Sequence, residues 1–199
     1  MRAWWLRTVL VLTAPTAVFA ALRDDTKDGA SRRAEPVLLI VWLAGMAYVL
    51  STATAAHLMD DQNYDGLLVA VWTFLAGGLF GGIGYFVLGA ALHGADLALG
   101  SQGSYRRARH VLAFAAVPVA LSLLLWPLEL ALWGSALFHR GGADAGGGGK
   151  AFEAANIALL LWSACLLVIG VRAVHGWTYG RAIAAAAAPG LLVAALVLL

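Results

Sequence analysis

Two ionisable side chains, His93 and Asp96, form the pair in this sequence best suited to exchange a proton. A separation of three positions puts both on one face of a helix. They lie at the end of a long apolar run, where ionisable groups are candidates for a transport or proton-relay site. The alternative is a structural role, in which the pair forms a salt bridge to an arginine of the segment that follows. The position near the end of the run favours the structural role.

Glu129 is a second carboxyl in apolar sequence, two residues after Pro127 and close to Trp126. Tryptophans near the ends of apolar runs are typical of an interfacial position, so we expect a structural role for Glu129 too. The five histidines lack the spacing of metal ligands, and the sequence contains no nucleophile elbow, zinc-binding helix motif or phosphate loop. The sequence therefore predicts no catalytic residue, no cofactor and no metal site.

The composition identifies the element type that carries these residues. Hydrophobic residues make up 62% of the 199 residues and charged residues 12%, about half the share in soluble domains. A run of about 20 apolar residues spans a bilayer as a helix. Five apolar runs are present, at residues 36–56, 66–92, 110–133, 155–171 and 182–199. We therefore predict an all-α polytopic membrane bundle with five transmembrane helices in residues 36–199, preceded by an N-terminal segment, 1–35.

The N-terminal segment allows three interpretations. Residues 1–22 could be a cleaved secretory signal, a membrane span weakened by an internal arginine and proline, or an interfacial helix. In the interfacial interpretation Trp4 and Trp5 lie at headgroup level. Residues 23–35 are a solvated linker of mixed charge. The distribution of basic residues favours the interfacial interpretation, because a cleaved signal would place the basic loops outside.

Lysine and arginine residues are distributed unequally between the two sides of the predicted bundle. Eleven lie on the side of the N-terminal segment, among them the basic loop residues Arg106, Arg107 and Arg109. Only Arg140 and Lys150 lie on the other side, beside a glycine-rich loop. The positive-inside rule then predicts a multi-pass protein of the inner or plasma membrane. Its N-terminus is cytoplasmic and its C-terminus is outside.

The second apolar run is rich in glycine at helical spacing. Gly77 and Gly81, and Gly78 and Gly82, are pairs four residues apart, and Gly84 continues the run. Small residues at this spacing let transmembrane helices approach closely. The pattern favours packing within the bundle, and a homodimer face or a substrate path are the alternatives.

The pattern of spans and one motif resemble the Yip family (the Ypt/Rab-interacting-protein domain) in its bacterial form. The resemblance covers residues 10–199. It implies a five-span fold and, in eukaryotic members, binding of prenylated small GTPases and a role in vesicle traffic. The DLYGP segment of eukaryotic members is absent here. The matching residues are Gly100, Gly103, Ser104, Tyr105, Arg106, Ala115, Pro118, Leu121, Trp162, Gly170 and Gly176.

These features predict a non-enzymatic membrane scaffold or adaptor with a basic cytoplasmic face. Its expected partners are the bilayer, anionic lipid headgroups and a protein at the cytoplasmic face, with self-association as a further option and nucleic acid excluded. The alternative is a small transporter or channel component that uses His93, Asp96 and the helices that Pro118, Pro127 and Pro189 are expected to kink. A sealed, glycine-packed core favours the scaffold, whereas a hydrated cavity that reaches Asp96 or Glu129 favours transport.

Overall fold

The computed structural model describes residues 2–52, 55–61, 64–139 and 147–198, and regular structure in these residues is helical throughout. Four short 3-10 turns lie at Ala21–Arg23, Ala55–Asp60, Ser122–Leu124 and Gly134–Phe138. The α-helices are α1 (Arg2–Leu10), α2 (Pro15–Ala20), α3 (Lys27–Ser31), α4 (Ala34–Leu50), α5 (Gly66–Ala98), α6 (Tyr105–Ala115), α7 (Val117–Leu121), α8 (Trp126–Trp133), α9 (Gly147–His175) and α10 (Tyr179–Leu198).

Three stretches are long and apolar enough to cross a membrane, namely Gly66–Ala98, Tyr105–Phe138 and Gly148–His175. The apolar helices α4 and α10 are shorter. The all-helical fold and the multi-pass membrane character are therefore confirmed. The count of five spans stays a prediction, because α4 and α10 do not reach the length of the other three.

The prolines of the third apolar run divide it into α6, α7 and α8. Pro118 and Pro127 each lie in the first turn of a new helical segment, where a missing N–H costs little. The break after α6 releases backbone carbonyls from the helix ladder. One of them, Ala115, accepts a hydrogen bond of 2.6 Å from the Ser163 hydroxyl of α9. A side chain of a neighbouring helix thus satisfies a carbonyl that the kink has freed.

Two tight reversals lie at the same end of the bundle. Gly100 follows α5 with a φ of +81°, and Gly176 follows α9 with a φ of +70°. This left-handed conformation strongly favours glycine and ends a helix. Ser104 then begins α6, because its hydroxyl accepts a hydrogen bond of 3.1 Å from the Arg107 backbone N–H. We call this end of the molecule, formed by residues 23–33, 99–110 and 172–181, the polar end.

The N-terminal segment packs against the bundle. Val18, Phe19 and Leu22 are buried in the same apolar core as α6 and α9. Gly170 makes room for Phe19, since a Cβ at position 170 would lie 2.9 Å from the Phe19 ring. Trp4 is 6% exposed and belongs to this core, whereas Trp5 is 38% exposed. The placement of the segment relative to a membrane stays a prediction.

The opposite end of the bundle carries the connections from α4 to α5 and from α8 to α9. There the turn Ala55–Asp60 contacts the turn Gly134–Phe138, and the His139 ring lies 3.4 Å from the Asp60 carboxyl. Arg140 and the glycine-rich stretch up to residue 146 lie outside the described residues. This end is thus separated along α5 and α9 from the polar end.

Candidate functional site

Asp25 is the centre of the polar end. Its carboxyl accepts a hydrogen bond from the Ser104 hydroxyl and one of 3.0 Å from Arg106 Nε. Arg33 Nη2 and Arg107 Nε lie 3.8 and 3.9 Å from the same carboxyl. Arg106 also donates to the Asp25 backbone carbonyl. One carboxyl of the N-terminal segment therefore lies among three arginines and accepts a hydrogen bond from the capping serine of α6.

These contacts change the titration of Asp25. Burial alone would raise the pKa of the carboxyl, but the hydrogen bonds from Ser104 and Arg106 and the charges of Arg106 and Arg107 outweigh it. The pKa of Asp25 therefore lies below its ordinary value. The charged form of Asp25 is the form that the site stabilises.

Arg33 is fully buried and joins the N-terminal segment to α6. Its Nε donates to His110 Nδ1 at 2.6 Å, and its Nη1 donates to the Asp24 carbonyl at 2.8 Å. Its guanidinium also lies 5.6 Å from the centre of the Trp4 ring. Burial lowers the pKa of Arg33, and the charges of Asp25 and Asp24 oppose that effect. A buried arginine needs such partners, because an unpaired buried charge is costly.

Arg109 faces an aromatic surface instead of a carboxyl. Its guanidinium carbon lies 5.0, 4.7 and 4.5 Å from the ring centres of Tyr85, Phe86 and Tyr105. Arginine is attracted to the faces of such rings. Gly89 leaves space for this side chain, since a Cβ there would overlap Arg109. Arg109 therefore ties α6 to α5.

The structure changes the interpretation of the predicted basic loop. Arg106, Arg107 and Arg109 lie in the first turns of α6, not in a loop. All three are part-buried and make contacts inside the molecule. Arg106 and Arg107 contact Asp25 of the N-terminal segment, and Arg109 contacts aromatic rings of α5. The residues that sequence reasoning missed are Asp25 and Arg33, whose partners lie about 80 positions away along the chain.

Asp96 contacts a histidine, not an arginine as the sequence suggested. His175 Nε2 lies 3.3 Å from Asp96 Oδ2, and His175 Nδ1 lies 3.2 Å from the Ser101 hydroxyl. The Ser101 oxygen in turn accepts a hydrogen bond of 2.9 Å from the Gly103 backbone N–H. With Nε2 protonated, every bond in this chain has one donor and one acceptor. This series of hydrogen bonds connects the segment between α5 and α6 to the end of α9.

His93 and Glu129 take no part in this network. The His93 ring packs at 5.8 Å from the Tyr105 ring, and its Nδ1 is buried without a hydrogen-bond partner among the described residues. Glu129 is 8% exposed on α8, whose neighbours include the turn Gly134–Phe138 toward the other end. The three predicted polar residues therefore do not form one site. In the described part of the chain, no group of three metal-ligating side chains is assembled.

The glycines of α5 divide between two environments. A Cβ on Gly77 would lie 2.8 Å from the Met46 Cα, and one on Gly78 would lie 2.9 Å from the Trp42 ring. Gly81 would overlap the Val41 carbonyl in the same way. In contrast, a Cβ on either Gly82 or Gly84 would meet open space among the described residues. We call the contact of Gly77, Gly78 and Gly81 with α4 the glycine seam.

The seam has a partner glycine on α4. A Cβ on Gly45 would lie 2.7 Å from the Gly81 Cα and would overlap the Gly77 carbonyl. The two backbones therefore touch directly, as small residues permit between membrane helices. Trp42 adds a hydrogen bond of 3.1 Å from its indole Nε1 to the Phe74 carbonyl. Gly45 is the one glycine of the first apolar run, and that signal was available in the sequence.

The family of the protein is identified from nearly the whole chain and not from a single site. The family model of the Yip1 domain matches residues 9–199. The chain belongs to the Yip family. No curated protein and no solved structure matches it. The family resemblance seen in the sequence is thus confirmed, whereas assignment to a bacterial type stays a prediction.

In this Yip1 domain the motif after α5 has a structural role. Gly100 turns the chain, Ser104 caps α6 and binds Asp25, and Arg106 binds both the carboxyl and the carbonyl of Asp25. Gly103 allows the close approach of His175, 3.1 Å from where a Cβ would be. The motif residues therefore connect the N-terminal segment, α5, α6 and α9 at the polar end.

Proposed function

We propose that the protein is a non-enzymatic membrane scaffold or adaptor that presents a basic cytoplasmic face. The single observation that carries this proposal is the closed packing around its candidate polar residues. Asp96 is 3% exposed and bonded to His175, and the glycine seam brings α4 and α5 into backbone contact. A transport path would need space at these positions.

The clefts of the molecule support the same function. Two clefts in the part of the chain that the structure describes are lined by residues other than Asp96 and Glu129. One lies at the polar end, between α2 and the end of α9. The other lies at the start of α5, beside Asp65 and Leu67. Neither reaches the interior carboxyls that a proton or ion path would use.

The proposed basic face consists of residues other than those of the predicted loop. Apart from Arg109, which faces aromatic rings, five cations of the polar end have no ion pair with a carboxyl among the described residues, and all of these five but Arg172 are exposed. Basic residues beside a membrane attract anionic lipid by about 1 kcal/mol each. The five are Arg23, Lys27, Arg32, Arg172 and Arg181.

The cytoplasmic orientation of this face is part of the proposal. It predicts that Asp60, Asp61 and Gly147 are outside, whereas Lys27, Arg107 and His175 are inside. Single cysteines at these six positions, in a Cys165→Ala background, test it with an impermeant thiol reagent on intact cells. Labelling of position 27 from outside, with position 60 protected, would reverse the face that is proposed to meet cytoplasmic partners.

The function itself is tested by recruitment of anionic vesicles. The protein in neutral phosphatidylcholine nanodiscs is immobilised, and fluorescent vesicles containing phosphatidylglycerol are passed over it. We expect binding that weakens with salt, because the Debye length falls below about 10 Å above 0.1 M. Arg32→Glu should reduce recruitment, whereas Lys150→Glu at the opposite end should not. Equal recruitment by empty nanodiscs would contradict the proposal.

A further inference from the structure

The cleft at the polar end lies between the N-terminal segment, the end of α9 and the turn before α10. It has a volume of about 200 Å³. Thr16 and Arg23 line it from the N-terminal segment, Arg172 from α9, and Trp177 from the turn before α10. It thus combines two guanidinium groups, a hydroxyl and an indole. This set of groups is typical of sites that hold a phosphate group close to an apolar surface.

Both arginines are held in place by the protein. Arg23 Nε and Nη2 donate to the Ala173 carbonyl at 2.9 and 2.6 Å, so its Nη1 stays available for a ligand. The guanidinium of Arg172 lies 4.4 Å from the centre of the Tyr179 ring. A ligand that binds here loses little affinity to the ordering of these side chains.

The charge of the cleft is not neutralised within the protein. The carboxyls nearest in sequence to Arg23 are engaged elsewhere, since Asp24 binds Thr26 and Asp25 binds Ser104 and Arg106. Among the described residues, neither Arg23 nor Arg172 has a carboxyl within ion-pair distance. Two positive charges therefore face one cleft without an anion from the chain.

The surroundings favour a lipid over a free anion. Tyr179 is 55% exposed, and Ile183 follows it by one helical turn on the same face with equal exposure. This face begins at Tyr179, beside Arg172, and continues along α10 to Ile183. Trp177 marks the boundary, as tryptophan does at membrane interfaces. An acyl chain along Ile183 would continue from a headgroup at Arg172.

We infer that the cleft of Arg23, Arg172, Thr16 and Trp177 binds the phosphate of an anionic phospholipid. This inference rests on the proposed function, because it names a lipid that the basic face would hold. The guanidinium groups recognise the phosphate, and the exposed face of α10 accommodates the chain. The site differs from a diffuse basic surface because it depends on these two arginines and not on the total charge.

The test measures binding of one short-chain lipid to the detergent-purified protein by calorimetry. Dihexanoyl phosphatidylglycerol should bind more tightly than dihexanoyl phosphatidylcholine. Arg172→Gln and Arg23→Gln should each weaken binding of the anionic lipid about fivefold, the factor that corresponds to one basic residue near anionic lipid. Arg32→Gln removes the same charge outside the cleft and should leave the Kd unchanged. Thermal melting checks that each variant is folded.

Arg23→Gln also removes the bonds to Ala173 and could therefore unfold the protein. In that case, the lipid affinities of Arg172→Gln and Thr16→Val decide the test. Equal Kd values for Arg172→Gln and the unmodified protein would overturn the inference. So would an equal loss in Arg32→Gln, which indicates diffuse charge. Displacement of the lipid by inorganic phosphate or by a hexaglutamate peptide of equal affinity would assign the cleft to a free anion or an acidic protein.

The vesicle experiment separates this inference from the proposed function. If short-chain lipid binding depends on Arg172 but nanodiscs recruit no vesicles, the cleft is a lipid site and the scaffold function fails. If vesicles are recruited while Arg172→Gln binds the short-chain lipid like the unmodified protein, the function stands and the site fails.

Discussion

The glycine seam and the polar end hold the molecule together in opposite ways. In the seam, Gly45 and Gly81 bring two apolar helices into backbone contact because neither residue has a side chain. At the polar end, the Asp25 carboxyl and the Arg33 guanidinium hold segments that are far apart in the sequence. The seam depends on shape and the polar end on charge and hydrogen bonds. They should therefore respond to different perturbations.

The comparison is sharpest at Gly81, where we expect the largest effect. Gly81→Ile places a branched side chain against the Val41 carbonyl and the Gly45 backbone, and α4 and α5 must separate. Overpacking of this kind costs about 1–3 kcal/mol. We expect a lower melting temperature in detergent. The matched control is Gly82→Ile, one residue further along α5 and directed to open space. Equal melting temperatures for the two variants would mean that the seam is not a close contact.

Asp25→Asn tests the polar end with a smaller expected effect. The amide keeps the shape but removes the charge that faces Arg33, Arg106 and Arg107. The carboxyl is 14% exposed, so we expect a loss of about 1–2 kcal/mol, below the cost for a fully buried pair. Hydrogen exchange in α2 should become faster. Asp28→Asn, an exposed carboxyl on α3, should leave that exchange unchanged.

The same carboxyl gives the polar end a pH dependence that the seam lacks. The folded pKa of Asp25 is depressed, so its stabilisation is present above the unfolded value, about 3.9, and is lost as pH falls through the folded value. The stability difference between the unmodified protein and Asp25→Asn should be full at pH 7 and shrink below about pH 4. For Gly81→Ile, the difference should not shrink in this way. A constant difference for Asp25→Asn would show that its charge is not the stabilising feature.

The sequence predicted the seam better than the polar end, for a physical reason. Close packing of α5 follows from glycines at fixed spacing within one helix, and periodicity reveals it. The pattern did not say that Gly82 and Gly84 face away from α4, because a two-row pattern covers more than one face. Asp25 and Arg33 lie in what reads as a solvated linker. Their partners on α6 become visible only when the chain is folded.

The basic residues show the same difference between what a sequence pattern predicts and what the folded contacts show. Counting arginines predicts a topology, since only the side of the membrane matters for that rule. The count does not show which arginines are neutralised inside the protein. Arg106 and Arg107 face Asp25, whereas Arg23 and Arg172 face a cleft. Surface charge in a small membrane bundle therefore has to be assigned residue by residue.

Asp96 contacts the polar end through His175, and its conservative replacement is predicted to give the smallest effect of the three test substitutions. Asp96→Asn keeps the size of the side chain, and the amide oxygen can still accept the hydrogen bond from His175 Nε2. The loss is the difference between a hydrogen bond to an acidic group and one to an amide, about 1 kcal/mol or less. Asp96→Leu removes the acceptor and leaves the Nε2 of the part-buried His175 without this partner. That variant should melt at a lower temperature than Asp96→Asn.

The measurement pairs melting temperature with proton flux into liposomes for both Asp96 variants. As a scaffold, the protein should show no flux above that of protein-free liposomes, in either the unmodified or the variant form. Flux in the unmodified protein that disappears in Asp96→Asn, with the melting temperature retained, would favour the transporter alternative. Asp96 would then be a proton-carrying group, and its bond to His175 would be one state of the path. The packing around Asp96 leads us to expect the first result, because the residue is 3% exposed and its carboxyl is bonded to His175.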